Sequence, residues 1–204
     1  MSAAPNLAGL RPGLADASLD SQRIFRRIME ATARPGLSQI ILSAPQPPQG
    51  LSPAAGAVLL TLADVDTPLW LDPGLVATEA EAWLRFHCGC QITSDPSAAA
   101  FALVSDPGSM PQLSAFNQGE AKYPDRATTL IIDIIGLRGG PAVVLRGPGI
   151  ENEAVISPHG LPAAFWSQRA DVVSRFQFGI DLVMCAGSEI LAIPRTTRTA
   201  GGES

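Results

Sequence analysis

The sequence predicts an α/β domain layered on a mixed β-sheet, and three observations predict it. Helical and strand-like patterns alternate through the first half of the chain. The run Thr128 to Ile135 is β-branched and almost wholly apolar, as a central strand covered on both faces requires. Strand pairs separated by short glycine turns follow in the second half.

Each element has its own signal. Residues 1–17 mix Ala, Gly, Pro and Leu without periodicity and are expected to form a mobile arm. From Ser18 the positions Ile24, Phe25, Ile28, Met29 and Thr32 follow helical spacing. Ser18 or Asp20 is the expected cap, and Pro35-Gly36 the stop. Leu37 to Leu42 reads as a short strand, and the proline-rich stretch Ser43 to Gly50 as a loop. Ser52-Pro53 opens a second helix, a capping hydroxyl followed by proline at the first helical position, which runs to about Ala63. Leu69 to Leu71 is a strand. Thr78 and Glu81 have the spacing of a capping box for a third helix, which ends near His87 before Gly89. Ala100 to Ser105, Thr128 to Ile135 and Ala142 to Arg146 read as strands. Ala163 to Arg175 reads as a helix, and Ile180 to Ala186 with Ile190 to Ile193 as a hairpin across Gly187-Ser188. The expected organisation is one α/β domain over residues 18–198 and a frayed tail over 199–204.

Composition excludes several classes. The 204 residues are 46% hydrophobic and 16% charged, with a mean hydropathy of +0.20. Such a chain is not disordered. A chain of this length buries about 70% of its unfolded surface and needs no staple. The charge of −5 speaks against a nucleic-acid partner. No apolar run is long enough for a membrane span, and residues 1–17 lack the pattern of a secretory signal. Three cysteines, an odd number, fit free thiols and a reducing, cytoplasmic location. Lys122 is the single lysine among fourteen basic residues. Scarce lysine and a high apolar fraction suit a surface that a partner covers.

Familiar cofactor motifs are missing: there is no Gly-x-Gly-x-x-Gly and no Gly-Lys-Ser/Thr loop. Gly147-Pro148-Gly149 offers backbone N–H groups to an anion, but Pro148 removes a donor and a plain turn is the better reading. His87-Cys88-Gly89-Cys90 lacks the two paired ligands of a structural zinc site, so no metal is expected. His87 sits at a helix end and has no orienting carboxylate of its own. Asp64, Asp66 and Thr67 are spaced to hold a cation or a sugar hydroxyl, or else to satisfy a turn. Arg26 and Arg27 read as a solvated face. Arg34 and Arg195 each place a guanidinium at the end of an element, where phosphate clamps are found. Lys122 lies in a polar loop, a poor place for a pyridoxal Schiff base.

Six strings occur in order: Phe25-Arg-Arg-Ile-Met29 with Arg34-Pro-Gly36, Leu59 through Leu71, Leu84-Arg-Phe-His87, Leu145-Arg-Gly-Pro-Gly-Ile150, Phe178-Gly-Ile-Asp-Leu182 and Leu191-Ala-Ile-Pro-Arg-Thr-Thr197. Over Ser18 to Thr197 the chain resembles the PhnH family, the H subunits of the bacterial carbon–phosphorus lyase core complex. The resemblance implies a three-layer α/β sandwich like the large domain of pyridoxal-phosphate-dependent transferases, without the cofactor lysine. It implies a homodimer that assembles with G, I and J subunits. That complex supports the displacement of adenine from ATP by a phosphonate, giving a ribose 1-phosphonate 5-triphosphate. The J subunit later cuts the carbon–phosphorus bond. ATP and magnesium are then expected only in the assembled complex, and the isolated subunit is expected to be inactive. Cys88 and Cys90 depart from the family pattern, which has Thr and small residues there. The family supplies no catalytic residues to carry over.

Two main readings follow. In one, the chain is an accessory or scaffolding subunit. In the other, Arg34, Asp64, Asp66, Thr67, His87 and Arg195 converge on a phosphorylated ligand and serve the transfer directly. A stand-alone metal or redox protein built on His87, Cys88 and Cys90 is a remote third.

Overall fold

The first helix starts at Asp16 rather than at Ser18 or Asp20. In the computed structural model, which describes residues 10–175 and 177–202, helix α1 spans Ala17–Ala33. The Asp16 carboxylate accepts from the N–H groups of Ser18 and Leu19, at 3.1 and 2.9 Å. Asp20 turns back to accept from Asp16 N at 2.9 Å and is buried in doing so. The seven residues before α1 that the sequence reading gives to the arm lie on the domain. Leu10 and Leu14 pack on the core, and Trp83 Nε1 donates to Arg11 O at 2.9 Å. The rest of that arm, residues 1–9, lies outside the described residues, as do the last two of the tail.

The remaining elements are β1 (Gln39–Ile40), α2 (Pro53–Leu62), β2 (Leu69–Leu71), α3 (Glu79–Cys88), β3 (Ile92–Thr93), β4 (Phe101–Val104), β5 (Thr129–Asp133), β6 (Val143–Arg146), β7 (Ala154–Ile156), α4 (Phe165–Val173), β8 (Asp181–Ala186), β9 (Glu189–Ile193) and β10 (Arg198–Gly201). Seven strands form a mixed sheet in the order β1-β9-β8-β5-β4-β2-β3. Neighbours from β3 to β8 are parallel, and β9 runs antiparallel to both β8 and β1. A small antiparallel sheet, β10-β6-β7, stands apart. The fold class is therefore α/β on a mixed sheet, as the sequence predicts.

Side-chain alternation explains the layers. Leu69, Leu71, Leu103, Ile131, Val183 and Cys185 point to one face and pack with α1, α2 and α3. Their neighbours Trp70, Ala102, Val104, Leu130, Ile132, Leu182 and Met184 point to the other and pack with α4 and the small sheet. β5 lies between β4 and β8 with Leu130, Ile131 and Ile132 fully buried. The expected central strand is thus in the place its composition demands.

Some local signals are overridden. The predicted strand over Leu37–Leu42 shrinks to two residues. The Thr78–Glu81 capping box does not close: Thr78 Oγ1 donates to Leu75 O at 2.6 Å, and Glu81 accepts from Ala77 N at 2.7 Å. Three short strands, β3, β7 and β10, carry no readable alternation. All of β10 but Arg198 falls in the stretch assigned to the frayed tail, and it is ordered by pairing with β6.

Two contacts fix the layers to one another. Ser52 caps α2 by accepting from Ala55 N at 3.1 Å. Its own N–H donates to Asp133 Oδ2 at 2.8 Å and its hydroxyl donates to Asp133 Oδ1, so the cap ties α2 to the end of β5. On the other side, the turn between β6 and β7 touches the end of α1 through bare backbone. Gly149 has φ +81°, and a Cβ there would stand 2.1 Å from Ala33 O.

Two outcomes follow. Gly149→Ala combines positive-φ strain with a backbone clash, and is expected to cost about 3 kcal/mol or more by urea unfolding; a cost below about 1 kcal/mol would show that the junction yields easily. Burial pushes the Asp133 carboxyl above its ordinary 3.8, against the Ser52 hydrogen bonds that lower it. Between 3.8 and the raised folded value, the native state keeps a proton that the unfolded chain has lost. Stability relative to Asp133→Asn should therefore fall as pH rises from 3.8 to that folded value, and level off above it. Stepped-pH unfolding of both proteins measures this, and a relative rise with pH would contradict it.

Candidate functional site

Three of the six family-like strings meet in space. Pro35 and Gly36, after α1, sit against Gly149 and Ala154. Gly147 lies against the backbone of Thr196 and Thr197, where its Cβ would come within 3.0 Å of Thr196 O. The segment Gly147-Pro148-Gly149 is thus a turn, as read from the sequence, and its glycines are needed for close backbone approach. It joins the end of α1 to the loop 194–197 that links β9 to β10.

That loop is held from beneath and from the side. Arg169, on α4, is fully buried. It donates to Thr197 O at 2.9 Å and to Pro194 O at 2.8 Å. Burial pulls its guanidinium down to about 10 and Asp181 opposes this, so it remains charged at neutral pH. Asp181, the first residue of β8, accepts from Arg195 N at 2.7 Å and from Arg195 Nη2 at 2.6 Å. Arg195 Nη1 also donates to Pro124 O. A mainly buried side chain is therefore fixed in one orientation.

Arg195 opens onto a groove of about 790 Å³ between α4 and the β6–β10 ladder. Arg146 and Arg198 line it as well. They are direct partners across the antiparallel β6–β10 pair. Three guanidiniums from three elements thus share one concave surface. The sequence reading finds one of them, Arg195. Arg146 lies within a quoted string, but Arg198 abuts a segment read as tail, and its register opposite Arg146 is a long-range pairing that no local pattern reveals.

The other candidates do not join them. Arg34 caps the C-terminal end of α1 and pairs with Glu30 at 3.2 Å, largely exposed and outside the groove lining. Asp64, Asp66 and Thr67 form a self-contained turn. Asp64 Oδ1 accepts from Asp66 N at 3.0 Å and from Thr67 Oγ1 at 3.1 Å, while Asp64 N donates to Thr67 Oγ1 at 2.7 Å. Of the two readings open for these residues, the turn accounts for their bonds. His87 Nε2 meets Arg11 O at 3.1 Å, which makes Nε2 the protonated nitrogen, and its ring lies edge-on to Trp83.

Cys88 and Cys90 are buried free thiols. The hydrogen bond that Cys88 donates to Cys90, together with burial, holds Cys88 far above the ordinary thiol range, and the same bond lowers Cys90. Among the described residues, no three His, Cys, Asp or Glu side chains gather as metal ligands would. Lys122 is exposed, its ammonium 5.1 Å from the Tyr123 ring centre.

Carboxylates at the C-terminal end of the parallel strands border a second crevice, where ligands of open α/β sheets commonly bind. It measures about 390 Å³ and is lined by Asp106, Asp133, Gly50 and Gly160. Here the acids serve the backbone. Asp72 accepts from Gly74 N at 2.8 Å and Asp106 N at 2.9 Å, and Asp106 accepts from Gly108 N at 3.0 Å. Asp133 is taken by Ser52.

Comparison with known proteins agrees with this arrangement of strings. A sequence model of the bacterial phosphonate metabolism protein PhnH matches residues 12–200. The chain is 41% identical over 184 residues to alpha-D-ribose 1-methylphosphonate 5-triphosphate synthase subunit PhnH of Rhizobium meliloti (strain 1021), which covers 90% of this chain and 92% of that one. It is 29% identical over 176 residues to HtxG of Stutzerimonas stutzeri, named for a C-P lyase subunit, with 86% and 84% covered. From the shared strings, and from a match that spans the whole described domain but its first and last few residues, the chain belongs to the PhnH family of bacterial phosphonate metabolism proteins.

Proposed function

We propose that this chain is an accessory subunit of a phosphonate-processing enzyme assembly, one that makes a ribose 1-phosphonate 5-triphosphate from ATP and an alkylphosphonate. The names of its relatives support the process. The accessory role is carried by one observation: the apolar stripe of α1 is wider than the face its own domain buries. Ile24, Ile28 and Ala31 face the core, whereas Phe25 and Met29, in the same predicted stripe, remain 47% and 51% exposed. Leu37, Ile40 and Leu42, on and beside the edge strand β1, are exposed as well. Edge strands and uncovered apolar side chains are what a partner subunit covers.

The partners of this reading are a second copy of the chain and the G, I and J subunits of a carbon–phosphorus lyase complex. A cytoplasmic setting fits the three free thiols. No helix among the described residues is long and apolar enough to cross a membrane. A kinship with the large domain of pyridoxal-phosphate-dependent transferases is part of the same proposal. The mixed seven-stranded sheet with covering layers on both faces supports it. The kinship proposed is one of fold alone, because Lys122 is exposed and offers no buried amine for a Schiff base.

The test is co-expression with the other subunits of the complex. Phe25→Glu with Met29→Glu should leave helix content and the thermal midpoint of the isolated chain nearly unchanged. Recovery of the complex, and adenine release from ATP with methylphosphonate, should each drop about tenfold or more, as expected when charges enter an interface core. Full assembly and turnover by the double variant would reject α1 as the covered surface. Adenine release by the isolated chain would reject the accessory role.

A further inference from the structure

We propose that the groove between α4 and the β6–β10 ladder binds the phosphoryl group of a phosphorylated small molecule, with Arg198 and Arg146 gripping its oxygens and Arg195 fixed beside them. This goes beyond the accessory role, since it gives the subunit a ligand of its own.

The first argument is electrostatic. Arg146 and Arg198 stand directly opposite each other across two antiparallel strands. Like charges in that register repel. Glu153 relieves Arg146, whose Nη2 donates to it at 2.8 Å. Arg198 has no carboxylate partner among the described residues. Arg195 has five N–H donors, and Asp181 and Pro124 O take three of them. Two remain. Three arginines and the buried Arg169 beneath them outnumber the two carboxylates, Glu153 and Asp181, in a chain whose net charge is −5. The last carbonyls of α4 bring partial negative charge to the groove at Ser174, so this surplus is what makes it attractive to an anion.

The second argument concerns the acceptors beside the arginines. The neighbouring carbonyls of Pro194 and Thr197 are turned to Arg169 and consumed there, which removes two acceptors that would repel an anion.

Size and shape give the ligand class. A volume of about 790 Å³ is far larger than one phosphate needs and suits a whole small organic molecule. Pro148, Ala170 and Val173 give the groove an apolar wall for the rest of that molecule. A single carboxylate engages one guanidinium fork, whereas a tetrahedral dianion offers oxygens to several.

The experiment is calorimetric titration of the isolated full chain with AMP and with adenosine, which differ only in the phosphate. Saturable one-to-one binding of AMP is expected, with none by adenosine. Arg198→Gln and Arg146→Gln should each weaken AMP about tenfold, while Arg138→Gln, whose arginine pairs with Glu189 outside the groove, should leave it unchanged. Circular dichroism confirms that each variant is folded. Equal affinity in the folded Arg198 and Arg146 variants, equal binding of adenosine, or no saturable binding would overturn the assignment. So would tighter binding of a poly-glutamate peptide than of AMP, which would make the groove a docking site for an acidic partner. Because the titration uses the chain alone and the assembly test uses co-purification, either proposal can fail without the other.

Discussion

A sheet with no polar face has to be covered twice. In β5, Leu130 and Ile132 face one side and Ile131 the other, and all three are fully buried. Each contributes roughly 1.5–3 kcal/mol only while its covering layer stays in place. The same holds along β2, β4 and β8. The rest of the molecule can be seen as the answer to that constraint. Helices α1, α2 and α3 supply one cover, while α4 and the small sheet supply the other. The parallel strands supply the connections, since each return to the same edge needs a crossover that can carry a covering element. Ser52 shows how tightly the layers are joined: one residue ends a loop, caps a helix and bonds to the last residue of the central strand.

The second cover is less self-evident than the first, because a three-stranded sheet of three- and four-residue strands has little stability by itself. It is seated by contacts between bare backbones. Gly149 lies against the end of α1, and Gly147 against the loop after β9. Arg169 then holds that loop from below by its carbonyls, and Asp181 holds Arg195 from the side. Burying a guanidinium is costly unless it is well bonded. Here the cost is offset by two charge-assisted hydrogen bonds and the nearby Asp181 carboxylate. One result of this scaffolding is that arginines far apart in sequence arrive at one groove.

Helix α1 carries a different kind of information. Its apolar positions span more of the circumference than one core contact can use. Three residues of the stripe go inward, and Phe25 and Met29 stay outside. The acids that look most reactive in the sequence have quieter roles. Asp64 closes its own turn with Thr67 and Asp66. Asp72 and Asp106, which no sequence motif marks, likewise secure the loops after β2 and β4. His87 Nε2 donates a hydrogen bond to the backbone of the N-terminal segment. Each of these bonds is short-range or directed at backbone, as expected where the local geometry of an Asp or Thr competes with a distant ligand.

By itself the sequence determined the fold class, the four helices, the central strand, the β8–β9 hairpin and the membership of a family. These rest on hydrophobic period, capping residues and turn glycines, all of which act over a few neighbouring positions. Ser52-Pro53 and Gly89 were legible for that reason. Tertiary structure alone decided that Asp16 caps α1, that residues 198–201 form a strand, and that Arg198 stands opposite Arg146 rather than trailing in solvent. It also decided that Arg195 keeps company with Asp181 while Arg34, Asp64, Asp66, Thr67 and His87 go elsewhere. The physical reason is the range of the interactions. A strand pairing or a guanidinium–carbonyl bond between residues about 30 to 50 apart is set by how two layers meet, and nothing in either short segment encodes the distance across that junction.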